Sequence, residues 1–432
     1  MAASMRAIKR QYLLIFAATG AILPYLPLFL EQRLGDRGQV GDVLAMTGLG
    51  FVVAPALVAF LADAHVSGRT LLVVLSGAAA AAAAVLASAQ SFWTILVAYA
   101  LFSLMFWPQS SLQDGFLFSV RQQRLAAGLP DEPFYRVRVW GTFGFILPAA
   151  GLYALMVRGA AADVAILAAG GIAVLGLINA WSLPRVAAGR PRAGAGEARR
   201  ARGRMPTLAA AQQIFRGPAL VLCASMFMAH LALAVYYGFY PIYLTGEIGF
   251  AGEWVGLIVI LGVVVELGVM MAVGGLVRSL GLKGALLLGL GATAVRFAIL
   301  ALLPSPFWAV ATQVLHGLTV VALHVLPAMY LDSLAEDAYR TSIQGLYTMV
   351  VIGLTRLVGS QIAGRLAEVS LLWLFGAAAI ALLCAALLLL VGFREGGPKR
   401  RPEGGPEGGP EGGPEGGPAS EPGEPAPGAS GQ

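Results

Sequence analysis

The sequence predicts an all-α membrane protein with twelve transmembrane helices arranged as two six-helix bundles. Of its 432 residues, 58% are hydrophobic and 12% are charged, with a mean hydropathy of +0.77. A soluble domain has about 25% charged residues. The apolar stretches are also long enough to cross a bilayer, which takes about 20 residues of helix. A short proline-containing pattern also recurs in the two halves of the chain.

Each predicted span approaches or exceeds the length needed to cross the hydrocarbon core, with all backbone groups bonded inside the helix. The spans cover about 12–32, 40–62, 70–89, 92–118, 138–158, 162–183, 217–244, 253–277, 284–303, 306–331, 342–366 and 370–393.

Lysine and arginine concentrate at the N-terminus, in the even-numbered loops and at the C-terminus. Because basic loops stay on the cytoplasmic side, we expect both termini in the cytoplasm and a multi-pass protein of the cell inner membrane. The basic start, with Arg6, Lys9 and Arg10, leads into a segment long enough to span and lacks a clear small-residue cleavage site, so no cleavable signal peptide is expected. Both cysteines, Cys223 and Cys384, lie in apolar runs and read as core residues.

Composition divides the chain into four parts. Residues 1–183 are predicted to form the N-terminal bundle and residues 217–393 the C-terminal bundle. Between them, residues 184–216 are rich in Arg, Ala and Gly, which indicates a basic cytoplasmic linker whose charge sets orientation rather than binding nucleic acid. Residues 394–432 repeat Gly-Gly-Pro-Glu and are predicted to be disordered.

An internal repeat relates the two halves. Pro27-Leu-Phe-Leu followed by Gly35 recurs as Pro241-Ile-Tyr-Leu followed by Gly249. Parallel repeats of this kind occur in two-bundle transporters.

Three successive predicted spans each carry one ionisable residue, namely Glu266, Arg296 and His316. A charge at the centre of a membrane helix costs about 2.5–3.5 kcal/mol on insertion scales. We therefore expect these groups to face inward, toward one another or toward a substrate, as in a transporter. The alternative is a static network that only holds helices together.

The N-terminal half offers Asp114 and Arg138 as a candidate substrate-binding pair. Asp114 ends the polar stretch Trp107-Pro-Gln-Ser-Ser-Leu-Gln-Asp. Pro108 within it frees backbone groups that only a cavity or neighbouring helices can satisfy. Arg138 has an alternative role as an ordinary arginine of a cytoplasmic loop.

Further substrate-binding candidates lie in the C-terminal half. Tyr236, Tyr237 and Tyr240 surround a break at Gly238 and Pro241 and could stack on a ring of the substrate, or form an interfacial aromatic belt. His324 and Arg356 are the other candidates. His324 has an alternative role as an interhelical histidine. Arg356 could bind a carboxylate or pair with Glu266 or Asp332.

Two loop motifs carry a resemblance to the major facilitator superfamily, over about residues 10–394. The family signature after the second span is Gly-x-x-x-Asp-Arg/Lys-x-Gly-x-Arg/Lys. Here Asp63 is separated from Gly68 and Arg69 by two extra residues, while the second copy keeps the spacing with Arg278 in place of Asp. The resemblance implies that these residues make charge contacts at helix ends that favour one conformer. They are Asp63, Gly68, Arg69, Gly274, Arg278, Gly281 and Lys283.

Within that superfamily the chain resembles the lactose permease-like and phenylpropionate permease group of proton symporters. The resemblance rests on Tyr135-Arg-Val-Arg138-Val-Trp140-Gly-Thr-Phe-Gly144 and on Val314-Leu-His316. It implies substrate contacts from Arg138 and Trp140. The group places a proton-releasing carboxylate three residues after the histidine, where this chain has Thr319. If the chain couples to protons, Glu266 is the expected carrier, with Arg296 and His316 assisting.

These observations predict proton-coupled uptake of a small organic solute by alternating access. An aromatic carboxylate is favoured, then a nucleoside or an oligosaccharide. The first alternative is a drug/proton antiporter of the same fold; a membrane-embedded enzyme or a sensor is more remote, since no clustered catalytic or metal motif is found. The expected partners are the substrate and the lipid bilayer, with no nucleic acid. The proton is the expected coupling ion, with no other cofactor and no metal, and the protein is expected to be a monomer.

Overall fold

A computed structural model describes residues 2–63, 67–130, 132–184, 211–334 and 340–394, which are almost entirely helical. The helices pack into one compact unit. Residues 185–210 of the predicted linker and residues 395–432 of the predicted tail lie outside the described residues. The predicted division into two bundles therefore stays a prediction.

In the part of the chain that the structure describes, eight helices precede the predicted linker. They are α1 (Ala2–Ile22), α2 (Leu26–Leu34), α3 (Arg37–Asp63), α4 (Gly68–Ser88), α5 (Phe92–Phe106), α6 (Pro108–Ala126), α7 (Phe134–Met156) and α8 (Asp163–Trp181).

Eight more helices among the described residues follow the predicted linker. They are α9 (Gly217–Ile242), α10 (Trp254–Leu302), α11 (Pro306–Ala311), α12 (His316–Val320), α13 (Leu326–Leu334), α14 (Arg340–Tyr347), α15 (Leu354–Val369) and α16 (Leu371–Gly392). A 3-10 segment (Thr312–Leu315) joins α11 to α12, and a π segment (Val321–Val325) joins α12 to α13.

Ten helical stretches in the described part of the chain are long and apolar enough to cross a membrane. Two of the predicted spans fall within α10, whose 49 residues are interrupted at Gly281, with φ 71° and ψ 171°. Glycine permits this turn because it has no Cβ to clash at positive φ. The protein is thus an integral multi-pass membrane protein, and the count of twelve spans stays a prediction.

Prolines place the breaks in the first and fourth predicted spans. The turn at residues 23–25 separates α1 from α2, with Pro27 in the first turn of α2. Trp107 separates α5 from α6, which begins at Pro108. Proline is tolerated at these positions because the first helical turn lacks intrahelical partners for its N–H groups.

At one end of the body, α3 lies against α15. A Cβ added to Gly41 would stand 2.5 Å from the Ser360 carbonyl oxygen and 2.7 Å from Gly364 Cα, so the two backbones approach closely. Arg365 donates to Asp42 at 2.9 Å, and Arg37 donates to the Ala367 carbonyl at 3.2 Å. These contacts close this end between the N-terminal and C-terminal helices.

Replacing Gly41 with valine tests this close approach. We expect Gly41→Val to lower the thermal unfolding temperature (Tm) of the purified protein by several degrees, because the new side chain must push α3 from α15. Gly171→Val is the matched control, since a Cβ at Gly171 meets nothing within 4 Å. Equal Tm losses in the two variants would contradict the predicted role of the Gly41 contact.

Candidate functional site

A cavity of about 850 Å³ lies between helices of the two halves. Helices α1 and α7 form one wall and α9, α10 and α12 form the other. It reaches from Pro24 and Pro241 to Phe134 and Met271. Its aromatic and polar lining comprises Phe16, Phe134, Arg136, Arg138, Thr142, Phe145, Tyr236, Tyr237, Tyr240, Glu266 and His316.

The structure brings the predicted trio together. The Arg296 guanidinium donates from Nη1 to His316 Nδ1 at 3.1 Å. His316 Nε2 lies 4.0 Å from Glu266 Oε2. Because arginine has no acceptor, Nδ1 of His316 must be the acceptor, which places the ring proton on Nε2, toward Glu266. Glu266 and His316 line the cavity, while Arg296 lies fully buried behind them.

Gln313, which was not among the residues predicted from the sequence, completes this network. Its Oε1 accepts from Arg296 Nη2 at 2.8 Å and from the Tyr236 hydroxyl at 3.3 Å. Its Nε2 donates to the Tyr240 hydroxyl at 2.9 Å. The signal was present: a polar amide in an apolar span, three residues before His316, lies on the same helical face.

The tyrosines of α9 lie inside the body rather than in an interfacial belt. Tyr236 is 3% exposed and Tyr240 is fully buried, and both line the cavity with Tyr237. The Arg296 guanidinium lies 4.3 Å from the centre of the Tyr236 ring. A cation over a ring face is attracted by the ring quadrupole, so the tyrosines help to hold the buried charge.

Glycines allow the helices of this wall to approach. A Cβ at Gly262 would lie 2.6 Å from Gln313 Oε1, and one at Gly317 would lie 3.0 Å from Glu266 Cα. The missing side chains let α10 and α12 come close enough for Glu266 to face His316.

In the N-terminal half, Arg138 lines the cavity with its guanidinium 4.0 Å from the Phe16 ring centre. Asp114 does not form the expected direct pair with Arg138; its Oδ1 accepts a hydrogen bond from the Tyr12 hydroxyl instead. Trp140 is 39% exposed and contacts Phe143, which is 59% exposed, on a face of α7 away from the cavity. Trp140 does not line this cavity, and its role as a substrate contact stays a prediction.

His324 and Arg356 also lie outside this cavity. The His324 ring contacts the His230 ring, with centroids 5.3 Å apart, which favours its interpretation as an interhelical histidine. Arg356 stacks on Tyr237 at 4.4 Å and borders a second, smaller cavity. Neither of the pairings considered for it, with Glu266 or Asp332, is found among the described residues.

The motif residues are only partly described. Asp63 ends α3, but its side chain lies outside the described residues. Gly68 begins α4, and a Cβ there would lie 3.0 Å from the Phe116 ring. Lys283 donates to the carbonyl oxygens of Leu390 and Phe393 at 2.8 and 2.7 Å, so it binds the C-terminal end of α16, where a cation is favoured. The conformational roles of Arg69, Gly274, Arg278 and Gly281 stay predictions.

A helical membrane body with a cavity between its two halves and charged groups on the cavity wall is the arrangement expected of a secondary transporter. The chain matches the MFS_1 like family over residues 5–377. It therefore belongs to that family, and the predicted membership of the major facilitator superfamily is confirmed.

Individual relatives agree with this assignment. The chain is 28% identical over 410 residues to the "Putative nucleoside transporter YegT" of Escherichia coli (strain K12), covering 87% of this chain and 90% of that protein. The crystal structure of the nucleoside transporter NupG matches with a TM-score of 0.77 and 17% identity, covering 90% of this chain and 99% of the other. The POT family transporter PepTSo matches with a TM-score of 0.68 and 12% identity, covering 90% and 97%. The two structures show the fold.

Replacing Gln313 tests the network around Arg296. Gln313→Leu removes an acceptor from a fully buried guanidinium, so we expect a loss of about 1–3 kcal/mol of stability, read as a lower Tm of the purified protein. Gln313→Glu restores the acceptor and adds a counter-charge, and we expect it to recover most of the Tm lost in Gln313→Leu.

Gln344→Leu is the matched control, because Gln344 makes a single hydrogen bond to the Ala328 carbonyl. Its Tm should fall less than that of Gln313→Leu. If Gln313→Glu is no more stable than Gln313→Leu, the network does not stabilise the fold through Arg296.

Proposed function

We propose that this protein transports nucleosides across the membrane. The named function of the E. coli relative and the composition of the cavity support this substrate class together. The cavity mixes aromatic rings with a few polar groups, which is the usual make-up of a site for a small ring-bearing solute. The aromatic carboxylate favoured from the sequence has no support from the relatives.

The cavity offers partners for both parts of a nucleoside. Tyr236, Tyr237 and Phe145 present rings on which a base can stack. Thr142, Arg138 and Glu266 present donors and acceptors for ribose hydroxyls or base edges. A carboxylate substrate would meet repulsion from Glu266 as well as attraction to Arg138, whereas a neutral nucleoside avoids this conflict.

Glu266 is the proposed proton carrier of the transport cycle. It is the one carboxylate among the described residues that line the cavity. His316 is a poorer carrier in this conformer, because its Nδ1 already accepts from Arg296. Protonation of Glu266 neutralises the charge facing His316 and Arg138, so it changes the balance between conformers.

With the orientation predicted from the basic loops, the contacts of α3 with α15 close the outer side. The cavity then faces the cytoplasm, as expected of one state in an alternating-access cycle. A proton moving inward is driven by about 2.3 kcal/mol per 100 mV of membrane potential.

Uptake measurements test the substrate class. We expect cells that produce the protein to accumulate tritiated uridine or adenosine above vector controls, because the cavity binds a ring and hydroxyl groups together. Excess unlabelled nucleoside should abolish this signal, while labelled phenylpropionate should not accumulate. Accumulation of the aromatic acid alone would overturn the proposal, and faster efflux of a preloaded dye would favour the antiporter alternative.

Removing the Glu266 charge tests proton coupling. In proteoliposomes with an imposed pH gradient, we expect Glu266→Gln to abolish accumulation of nucleoside and to leave counterflow exchange partly intact, because glutamine binds but does not titrate. Glu247→Gln is the control, since Glu247 is exposed and lies outside the cavity. Unchanged accumulation by Glu266→Gln would remove Glu266 as the carrier.

A further inference from the structure

A second cavity lies behind Tyr237, deeper toward the closed end of the body. Its volume is about 20 Å³, and it shares Leu23 and Tyr237 with the main cavity. Its polar lining comes from both halves: Thr47 and Tyr99 from α3 and α5, and Arg356 and Ser360 from α15. The main cavity's proposed function does not use these four residues.

The charge in this small cavity is uncompensated. Arg356 is half-buried, and its guanidinium contacts the rings of Tyr237 at 4.4 Å and Phe51 at 5.8 Å. Among the described residues it makes no ion pair and no hydrogen bond. Ring contacts recover only part of the cost of removing a guanidinium from water. Arg296, by contrast, has Gln313 and His316 as hydrogen-bond partners.

Hydroxyl groups surround the uncompensated charge. Ser360 lies one helical turn beyond Arg356, on the same face of α15. The Thr47 and Tyr99 hydroxyls bond to each other at 2.8 Å. Whichever of them donates, the second hydroxyl hydrogen stays available for another acceptor. A guanidinium with hydroxyl donors and without a carboxylate is a donor set for an anion.

The size of the cavity limits the anion. A space of about 10–15 Å³ holds one water molecule, so about 20 Å³ admits one particle near that size. This space favours a monatomic anion over an organic carboxylate.

We propose that this cavity binds a single chloride ion between Arg356, Ser360, Thr47 and Tyr99. Because α3 and α5 belong to one half and α15 to the other, separation of α3 from α15 would divide the site. Chloride therefore favours the conformer in which this end is closed, and acts as an activator of the closed state that is distinct from the transported solute.

The test uses the full-length protein in detergent without any nucleoside, so its outcome does not depend on the substrate. Sodium chloride is titrated against sodium gluconate at constant ionic strength while Tm is measured. We expect a saturable rise in Tm of about 2–4 °C with chloride, since a ligand that binds only the folded state stabilises it. Arg356→Gln should abolish the rise.

Arg365→Gln is the matched control, because it removes the same charge from the same helix outside the small cavity, where Arg365 pairs with Asp42. It should keep the chloride response. Should Arg356→Gln fail to fold, Ser360→Ala and Thr47→Val should each shift the chloride midpoint several-fold upward. Equal Tm values in the two salts, as expected for a cavity that holds only water, or a rise that persists in Arg356→Gln, would overturn the proposal.

A separate measurement tests whether chloride favours the conformer in which this end is closed. Spin labels are placed at Gln32→Cys and Trp373→Cys, two exposed positions near the closed end, in a background without Cys223 and Cys384. Chloride should enlarge the short-distance population measured by electron spin resonance, and Arg356→Gln should remove that effect. Identical distance distributions in chloride and gluconate would refute the link between the anion and closure.

Discussion

The fully buried guanidinium of Arg296 is the constraint on which the functional wall of this protein depends. A charge in the membrane interior is tolerated only with partners around it, and these partners come from three helical segments. His316 and Gln313 bind the guanidinium edge, and Tyr236 covers its face. To supply them, α9, α10 and the segment around α12 must lie in one register. The cavity wall, with Glu266 upon it, results from satisfying this one charge.

At the closed end, small residues form a contact that lacks the charged network found around Arg296. Between α3 and α15 the backbones meet at Gly41 and Gly364, with Arg365 and Asp42 as an exposed pair at the edge. Exposed ion pairs contribute little, with a median of about 0–1 kcal/mol, and the contact at Gly41 and Gly364 is between backbones. Separation at Gly41 and Gly364 breaks backbone packing and this exposed ion pair. The body thus joins a rigid polar wall to a seam that is suited to opening, as alternating access requires.

The two arginines that contact α9 show how similar sequence contexts lead to different chemistry. Arg296 and Arg356 each lie in an apolar predicted span, and both stack on a tyrosine of α9. Arg296 has side-chain acceptors within hydrogen-bond distance, and Arg356 has aromatic rings and hydroxyl groups nearby. The first is therefore a structural centre of the transport cavity, and the second is left to bind an ion from solution.

Several residues of the site could be predicted because placing a charged side chain in lipid costs free energy. That cost made Glu266, Arg296 and His316 conspicuous, and the structure places them together. Gln313 was not predicted because a neutral amide costs less to bury than a charge, although its spacing from His316 was visible. The surroundings of Trp140 and Asp114 could not be predicted, because a motif gives the order of residues along α7 and α6 but not the face that each helix turns toward the cavity.

The sequence by itself determined the membrane environment, the helical class, the superfamily and the inward-facing charges, because all of these follow from composition, segment length and the energetics of transfer into lipid. Only the tertiary structure decided which acceptors each arginine meets, which face of α7 borders the cavity and which end of the body is closed. Those outcomes depend on helix rotation and on close approaches at glycines, which are fixed by packing between segments far apart in the chain.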